Sequence, residues 1–199
     1  MTVTCTRMGW VAALRAQAAA PETASDDMLI RRIAQGDQLA MRMLFGRHRV
    51  PLYRWFLRLA GDEALAEDLL SDVFLDVWRQ AATFESRSSV STWLLAIARH
   101  KALSARRRRP DAELDEKIVS TVADPADDPE VVLQKKTRAD LLRRCLARLS
   151  PEHGEVNDLV YFHGKSVKEV ADIVGVAEAT VKTRMFYARK RLAEFVAAA

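Results

Sequence analysis

Hydrophobic residues recur along this chain at intervals of three and four, and no stretch alternates β-branched with polar residues as a strand would. Ser25 followed by Asp26 and Asp27 opens a helix with an acidic first turn facing the helix dipole. Leu29, Ile30 and Ile33 carry that helix to Gly36. Asp37 then caps a second helix with Leu39, Met43 and Leu44 on its apolar side. Pro51 predicts a break or a new first turn, since proline has no backbone N–H and crowds the preceding turn. Leu52, Tyr53, Phe56, Leu57 and Leu59 follow, and Gly61–Asp62 ends one helix and starts another.

The helix expected from about Glu63 to Ala82 places Ala66, Leu69, Leu70, Val73, Phe74, Val77 and Trp78 in one apolar stripe. Asp68, Asp72 and Asp76 form an acidic row at i, i+4 and i+8. Like charges so spaced oppose an isolated helix by a few tenths of a kcal/mol per pair. Such a row is either a solvated face or a docking surface for a basic partner. Phe84 to Ser91 reads as a polar loop, after which Ser91 or Thr92 caps a helix through Trp93, Leu94, Ile97 and Leu103. That helix ends in the basic run Arg106 to Arg109 before Pro110, with Arg99, His100 and Lys101 upstream. Interleaved basic and aromatic side chains suit phosphates and an unstacked base, while Trp93 by itself also suits a core.

Residues 110–130 contain Pro110, Pro125 and Pro129 and no sustained periodicity, which predicts a linker. A helix from Val131 to Leu149 is expected beyond it, then a Ser150-Pro151-Glu152 cap and a helix through Val156, Leu159, Val160 and Phe162, ending at Gly164. Ser166 caps a short helix in which Val167, Val170, Ala171 and Val174 share one face. Gly175 supplies a tight turn, Val176 plugs the angle, and the next helix starts near Glu178. Projected at 100° per residue, Val181, Met185, Ala188 and Leu192 fall on one side of this helix. Lys182, Thr183, Phe186, Tyr187 and Lys190 fall on the other. This pattern from Ser166 to Val196 predicts a helix-turn-helix. Two aromatics on the polar face of a basic helix fit a major groove, which offers thymine methyls to them and base edges and phosphates to Lys and Thr. The structural alternative is a second packing surface.

Composition adds organisation rather than chemistry. Of 199 residues, 49% are hydrophobic and 29% charged, as in a globular chain. The net charge of +4 divides unevenly: +1 over 1–24, +5 over 25–110, −7 over 111–130 and +5 over 131–199. Two basic blocks separated by an acidic strip read as two modules and a linker, and basic blocks suit a polyanion. Residues 1–24 read as a flexible extension. Arg15 interrupts their apolar run too early for a signal peptide, and Met8 and Met28 are alternative starts. No segment approaches the length of a membrane span. Cys5 and Cys145 have no paired or metal-ligand spacing, and Cys145 sits among leucines as a core residue would. No catalytic constellation, metal site or cofactor is expected, and a reduced cytoplasmic setting fits best. The fold class expected is all-α: two small helical domains, 25–109 and 131–199, joined by an acidic flexible linker.

Two separate blocks resemble the extracytoplasmic-function sigma factors, members of the sigma-70 family of bacterial RNA polymerase. The stretches Leu149-Ser-Pro-Glu-His, Ser166-Val-Lys-Glu-Val-Ala-Asp-Ile-Val-Gly and Ala179-Thr-Val-Lys-Thr-Arg resemble region 4. Ala66-Glu-Asp-Leu-Leu-Ser-Asp-Val-Phe and Ser91-Thr-Trp-Leu-Leu-Ala-Ile-Ala-Arg resemble region 2. The resemblance spans roughly residues 25 to 196. It implies a chain that binds core RNA polymerase and promoter DNA, is held by an anti-sigma factor, and carries no catalysis of its own. Asp68, Leu69, Asp72, Phe74, Leu75 and Asp76 would then dock polymerase. Ser88, Ser89, Trp93, Arg99, His100, Lys101, Arg106 and Arg107 would open and read the −10 element, where capture of a flipped base offsets unstacking. Thr180, Lys182, Thr183, Arg184, Phe186, Tyr187 and Lys190 would read the −35 element. Ala177 and Ala179 stand where Pro and Gly are frequent, Tyr187 where a basic residue is common, and His100 where Asn is common. The promoter sequence therefore does not carry over with the resemblance.

Two other readings account for less. An ordinary helix-turn-helix regulator with an N-terminal sensor or dimerisation domain explains Ser166–Val196 but not the Trp93–Arg109 block or the acidic row. A helical hydrolase or nuclease would need a carboxylate pair or a His-based constellation that the chain lacks.

Overall fold

A computed structural model describes residues 24–108 and 144–197. Seven α-helices lie wholly among them: α1 Asp26–Ile33, α2 Gln38–Ala60, α3 Glu63–Gln80, α4 Val90–Arg108, α5 Pro151–Tyr161, α6 Val167–Val174 and α7 Glu178–Ala197; residues 144–147, within the stretch where a helix from Val131 to Leu149 is expected, are helical too. A 3-10 turn, Ala81–Thr83, tightens the end of α3. No strand occurs among the described residues. The extension up to residue 23, the linker and the first part of the helix expected from Val131 lie outside them.

Local signals set most helix ends. The Ser25 hydroxyl accepts from the Met28 N–H, and Asp37 accepts from the Leu39 and Ala40 N–H groups at 2.9 and 3.1 Å. Asp62 caps α3 through the Leu65 N–H. Gly61 leaves α2 at φ +67, a left-handed turn that costs a side-chain-bearing residue about 1–2 kcal/mol.

Two expectations are corrected. Pro51 does not break the chain; α2 runs through it for 23 residues. An interior proline costs roughly 3 kcal/mol. Leu44 before it and Leu52, Trp55 and Phe56 after it are all buried in one core. Burying each such side chain contributes about 1.5–3 kcal/mol, so packing outweighs the lost backbone bond. The cap of α4 is neither Ser91 nor Thr92 but Ser89, whose hydroxyl accepts from the Thr92 N–H and whose carbonyl accepts from the Trp93 N–H. Val90 and Thr92 are buried and so lie inside the helix, leaving the exposed Ser89 at its mouth.

Helices α1 to α4 enclose Leu29, Ile30, Leu44, Trp55, Phe56, Val73, Val77 and Leu94. Helices α5 to α7 pack on one another around Val156, Leu159, Val170 and Val181. The two sets are not separate bodies: α6 lies against α4, and the buried residues of both sets belong to one cluster.

Candidate nucleic-acid interface

The helix-turn-helix assembles from its own sequence. Ser166 and Glu169 form a reciprocal capping box: the serine hydroxyl accepts from the Glu169 N–H, and the glutamate accepts from the Ser166 N–H at 3.0 Å. Gly175, at φ +72, turns the chain while the Gly175 and Val176 N–H groups both donate to Ala171 O. In α7, Val181 and Ala188 are fully buried and Met185 and Leu192 half-buried, so this side packs inward.

The opposite side of α7 faces solvent. Thr180, Lys182, Thr183, Phe186, Tyr187 and Lys190 are exposed, with Phe186 at 58% and Tyr187 at 49%. The two aromatic rings meet edge to face with centroids 5.5 Å apart. The Thr183 hydroxyl donates back to Ala179 O at 2.9 Å, which holds its rotamer. Arg184 is half-buried. Its charge helps hold the Glu152 carboxyl below the ordinary range, behind hydrogen bonds from Glu152's own N–H and from Ser150. The Tyr187 ring also lies 6.3 Å from that of His153 on α5, and the exposed remainder of the pair on this cationic helix offers a groove both van der Waals surface and charge.

Helix α4 divides its candidate residues among three directions. Trp93, His100 and Arg107 recur every seven residues and share one side. Trp93 is half-buried with its ring centroid 4.9 Å from that of Phe84, whereas His100, Arg106 and Arg107 are exposed. Lys101 turns away to Asp76, at 2.7 Å. Arg99 turns toward α5 and donates through Nε to Glu155 Oε1 at 2.7 Å. Ser88 is half-buried and Ser89 exposed at the start of the helix.

On α3, Asp68 and Asp72 are exposed, as are Leu75 and Trp78. Leu69 and Phe74, each 5% exposed, face the core. Phe45 stands edge-on to Phe74 with ring centroids 4.9 Å apart and is itself part-exposed, extending the apolar surface onto α2. The acidic row is thus uneven, because Asp76 is engaged by Lys101 and lies 3.8 Å from Arg79.

Sequence reasoning missed a set of polar residues that join α4 to the helix-turn-helix. Thr92 Oγ1 donates to Glu169 Oε1 at 2.6 Å. Lys165 Nζ donates to Ser91 Oγ at 2.6 Å and to Thr92 Oγ1 at 3.0 Å. The hydrogen bond from Thr92 leads in bringing the Glu169 pKa down to about 2; burial opposes it, and the bonds from Ser166 and the charge of Lys165 add to the lowering. Arg58 of α2 lies 2.7 Å from the Asp158 carboxylate and covers the Phe162 ring at 4.8 Å. Burial nonetheless pushes the Asp158 carboxyl up, against the pull of Arg58. Glu169 was legible only as half of a capping box, and Glu155, Asp158 and Lys165 left no signal in spacing.

Among the described residues, no His/Cys/Asp/Glu cluster could hold a metal ion, and no helix is long and apolar enough to cross a membrane. Comparison with known proteins matches residues 44–110 to sigma-70 region 2 and residues 139–192 to sigma-70 region 4. The chain is 33% identical over 164 residues to the ECF RNA polymerase sigma factor SigL of Mycobacterium tuberculosis, covering 80% of this chain and 90% of that one. It is 32% identical over 168 residues to SigK of Mycolicibacterium vanbaalenii, covering 82% and 85%. Among solved structures, RpoE from Bartonella quintana, in complex with the anti-sigma factor NepR, aligns with a TM-score of 0.57 at 25% identity. That alignment covers 76% of this chain and 94% of RpoE.

Proposed function

The chain belongs to the extracytoplasmic-function sigma factors of the sigma-70 family, and on that premise we propose how its residues share the work of an alternative sigma factor. Such a factor binds core RNA polymerase and directs initiation at particular promoters. We assign residues 25–109 to polymerase docking and the −10 element, 110–130 to the connecting linker, and 131–199 to the −35 element.

The observation that carries the −35 assignment is the outward face of α7, where Phe186 and Tyr187 stand exposed beside Lys182 and Lys190. Lys182, Thr183 and Arg184 lie toward the N-terminal half of the helix, the end that enters a major groove in helix-turn-helix proteins. The −10 assignment rests on Trp93, His100 and Arg107 along one side of α4, with Ser88, Ser89, Arg99, Lys101 and Arg106 around them. The docking assignment rests on Asp68, Asp72 and Leu75, which are exposed on α3. Leu69, Phe74 and Asp76 support that face from within through burial and the Lys101 pair.

In this reading the chain has no catalysis of its own; polymerase supplies the chemistry, and the cytoplasm is where the two meet. An anti-sigma factor is the expected regulator, since RpoE of Bartonella quintana was crystallised with one. The test is reconstitution: the purified chain with sigma-free core polymerase and the promoter region of its own operon. Specific initiation supports the assignment, and failure to initiate there or at any promoter selected from genomic fragments overturns it.

A further inference from the structure

The Tyr187 ring has two aromatic neighbours, and they come from different helices. On α7 itself the Phe186 ring meets it with centroids 5.5 Å apart. From α5 the His153 ring approaches with centroids 6.3 Å apart and planes inclined at 49°. Both separations fall within the range over which aromatic rings attract one another.

The His153 ring is placed by its own helix. Ser150 caps α5: its hydroxyl accepts from the His153 N–H at 3.5 Å and lies 2.8 Å from His153 Nδ1. One serine oxygen thus holds both the backbone and the ring of His153. Val156, three residues on, lies on the same side of α5. It is fully buried where α5 packs on α7, and the half-buried His153 carries that side out to the surface. On α7, Ala188 beside Tyr187 is fully buried as well. One turn before Tyr187, the Arg184 charge adds to the lowering of the Glu152 pKa, behind bonds from Glu152's own N–H and from Ser150. The first turn of α5 therefore flanks the outward side of α7.

An exposed tyrosine on a bare helix exchanges among rotamers and loses that freedom when it enters a groove. A ring already braced by a neighbour loses less, and it meets the groove in one orientation. Orientation turns an aromatic contact into a preference, because thymine methyls and base-edge acceptors occupy fixed places in the groove.

We propose that His153 is a positioning residue for −35 recognition: from the first turn of α5 it braces the Tyr187 ring and so fixes which base pair that side chain selects. The proposal rests on the assignment of α7 to the −35 element. It moves part of the sequence preference off the recognition helix, onto a residue that touches the reader and not the DNA.

The test uses the full chain assembled with core polymerase and a pool of DNA duplexes carrying a randomised segment. Sequencing the bound fraction gives the base preference at each position. Tyr187→Ala and Lys182→Ala identify the positions that those two side chains select. His153→Ala is expected to lower preference at the Tyr187 position about three- to ten-fold, the strength of one aromatic pair. Preference at the Lys182 position should stay at the wild-type level. His153→Phe keeps a ring against Tyr187 and should restore the preference. His153→Ala combined with Tyr187→Ala should lose no more than Tyr187→Ala alone, since the brace then has nothing to hold. Circular dichroism and the thermal midpoint of the free chain confirm that each variant folds.

Unchanged preference at the Tyr187 position in His153→Ala overturns the proposal, whether or not overall affinity falls, and leaves His153 a packing residue. Additive losses in the double variant overturn it too, because His153 would then meet DNA independently. Unchanged preference in Tyr187→Ala is a different failure. It removes Tyr187 from the −35 readers, and the positioning role of His153 with it.

Discussion

The Thr92 hydroxyl donates to Glu169 at 2.6 Å across 77 residues of chain. The same glutamate closes the capping box of α6, the first helix of the helix-turn-helix. One carboxylate therefore caps the first helix of the helix-turn-helix through one oxygen and joins that motif to α4 through the other. The two roles use different hydrogen bonds and are separable by substitution at the partners.

Thr92→Val keeps the shape of a buried β-branched residue and removes its hydroxyl. The Glu169 carboxylate keeps its Ser166 bonds but loses its leading donor, so its pKa should rise from about 2 toward the ordinary value near 4.5. A hydrogen bond to a charged group contributes about 1.5–3 kcal/mol. Carboxyl titration by NMR reads the first effect, and the thermal midpoint reads the second. An unmoved Glu169 titration would show that Thr92 does not set its charge.

Acidification should loosen the contact between the modules through His163. Burial, then Arg58 and Lys165, lower its pKa from 6.5 to about 4. Asp158 lies 3.7 Å away but does not offset them. The folded state thus disfavours a proton that the unfolded chain takes readily. The stability tied to neutral His163 is complete above pH 6.5 and is lost as pH falls toward 4. Glu169, whose folded pKa is also depressed, adds a loss only between about pH 4.5 and 2. Asp158, with its pKa raised, acts in the opposite sense. The unfolding midpoint followed from pH 7 to 4 should fall in the wild type and flatten in His163→Gln; parallel curves would remove His163 from the account.

Lys182→Ala and Tyr187→Ala should each weaken −35 recognition while polymerase binding stays intact. Truncating one good base or groove contact costs about 1–3 kcal/mol, roughly ten- to hundred-fold in promoter affinity. Gel shifts with promoter DNA and with core enzyme separate the two activities. Loss of core binding in both variants would mean that α7 faces polymerase instead.

Asp68→Lys and Asp72→Lys should do the reverse. Both side chains are exposed, so folding should change little and the effect should appear in association with core enzyme, most strongly at low salt. Core affinity equal to that of the wild type at low ionic strength would leave the row a solvated face.

The sequence by itself determined the helices, most of their caps and the inward and outward sides of α7. These depend on periodicity and on hydrogen bonds within three or four residues, as at Asp37, Asp62, Ser166 and Gly175. It also carried both family signatures. It misjudged Pro51 and the cap of α4 because the outcome there turned on burial: Trp55, Phe56, Val90 and Thr92 had to enter a core whose other walls lie elsewhere in the chain. Only the tertiary structure decided where Arg99 and Lys101 point, two residues apart on one helix and drawn to Glu155 and Asp76 respectively. Partners 56 and 100 residues distant, as for Arg99 and Arg58, leave no spacing to detect. Their pairing follows from which faces are left apolar once each module has folded. That packing places Glu155 and Asp158 of one module on Arg99 and Arg58 of the other.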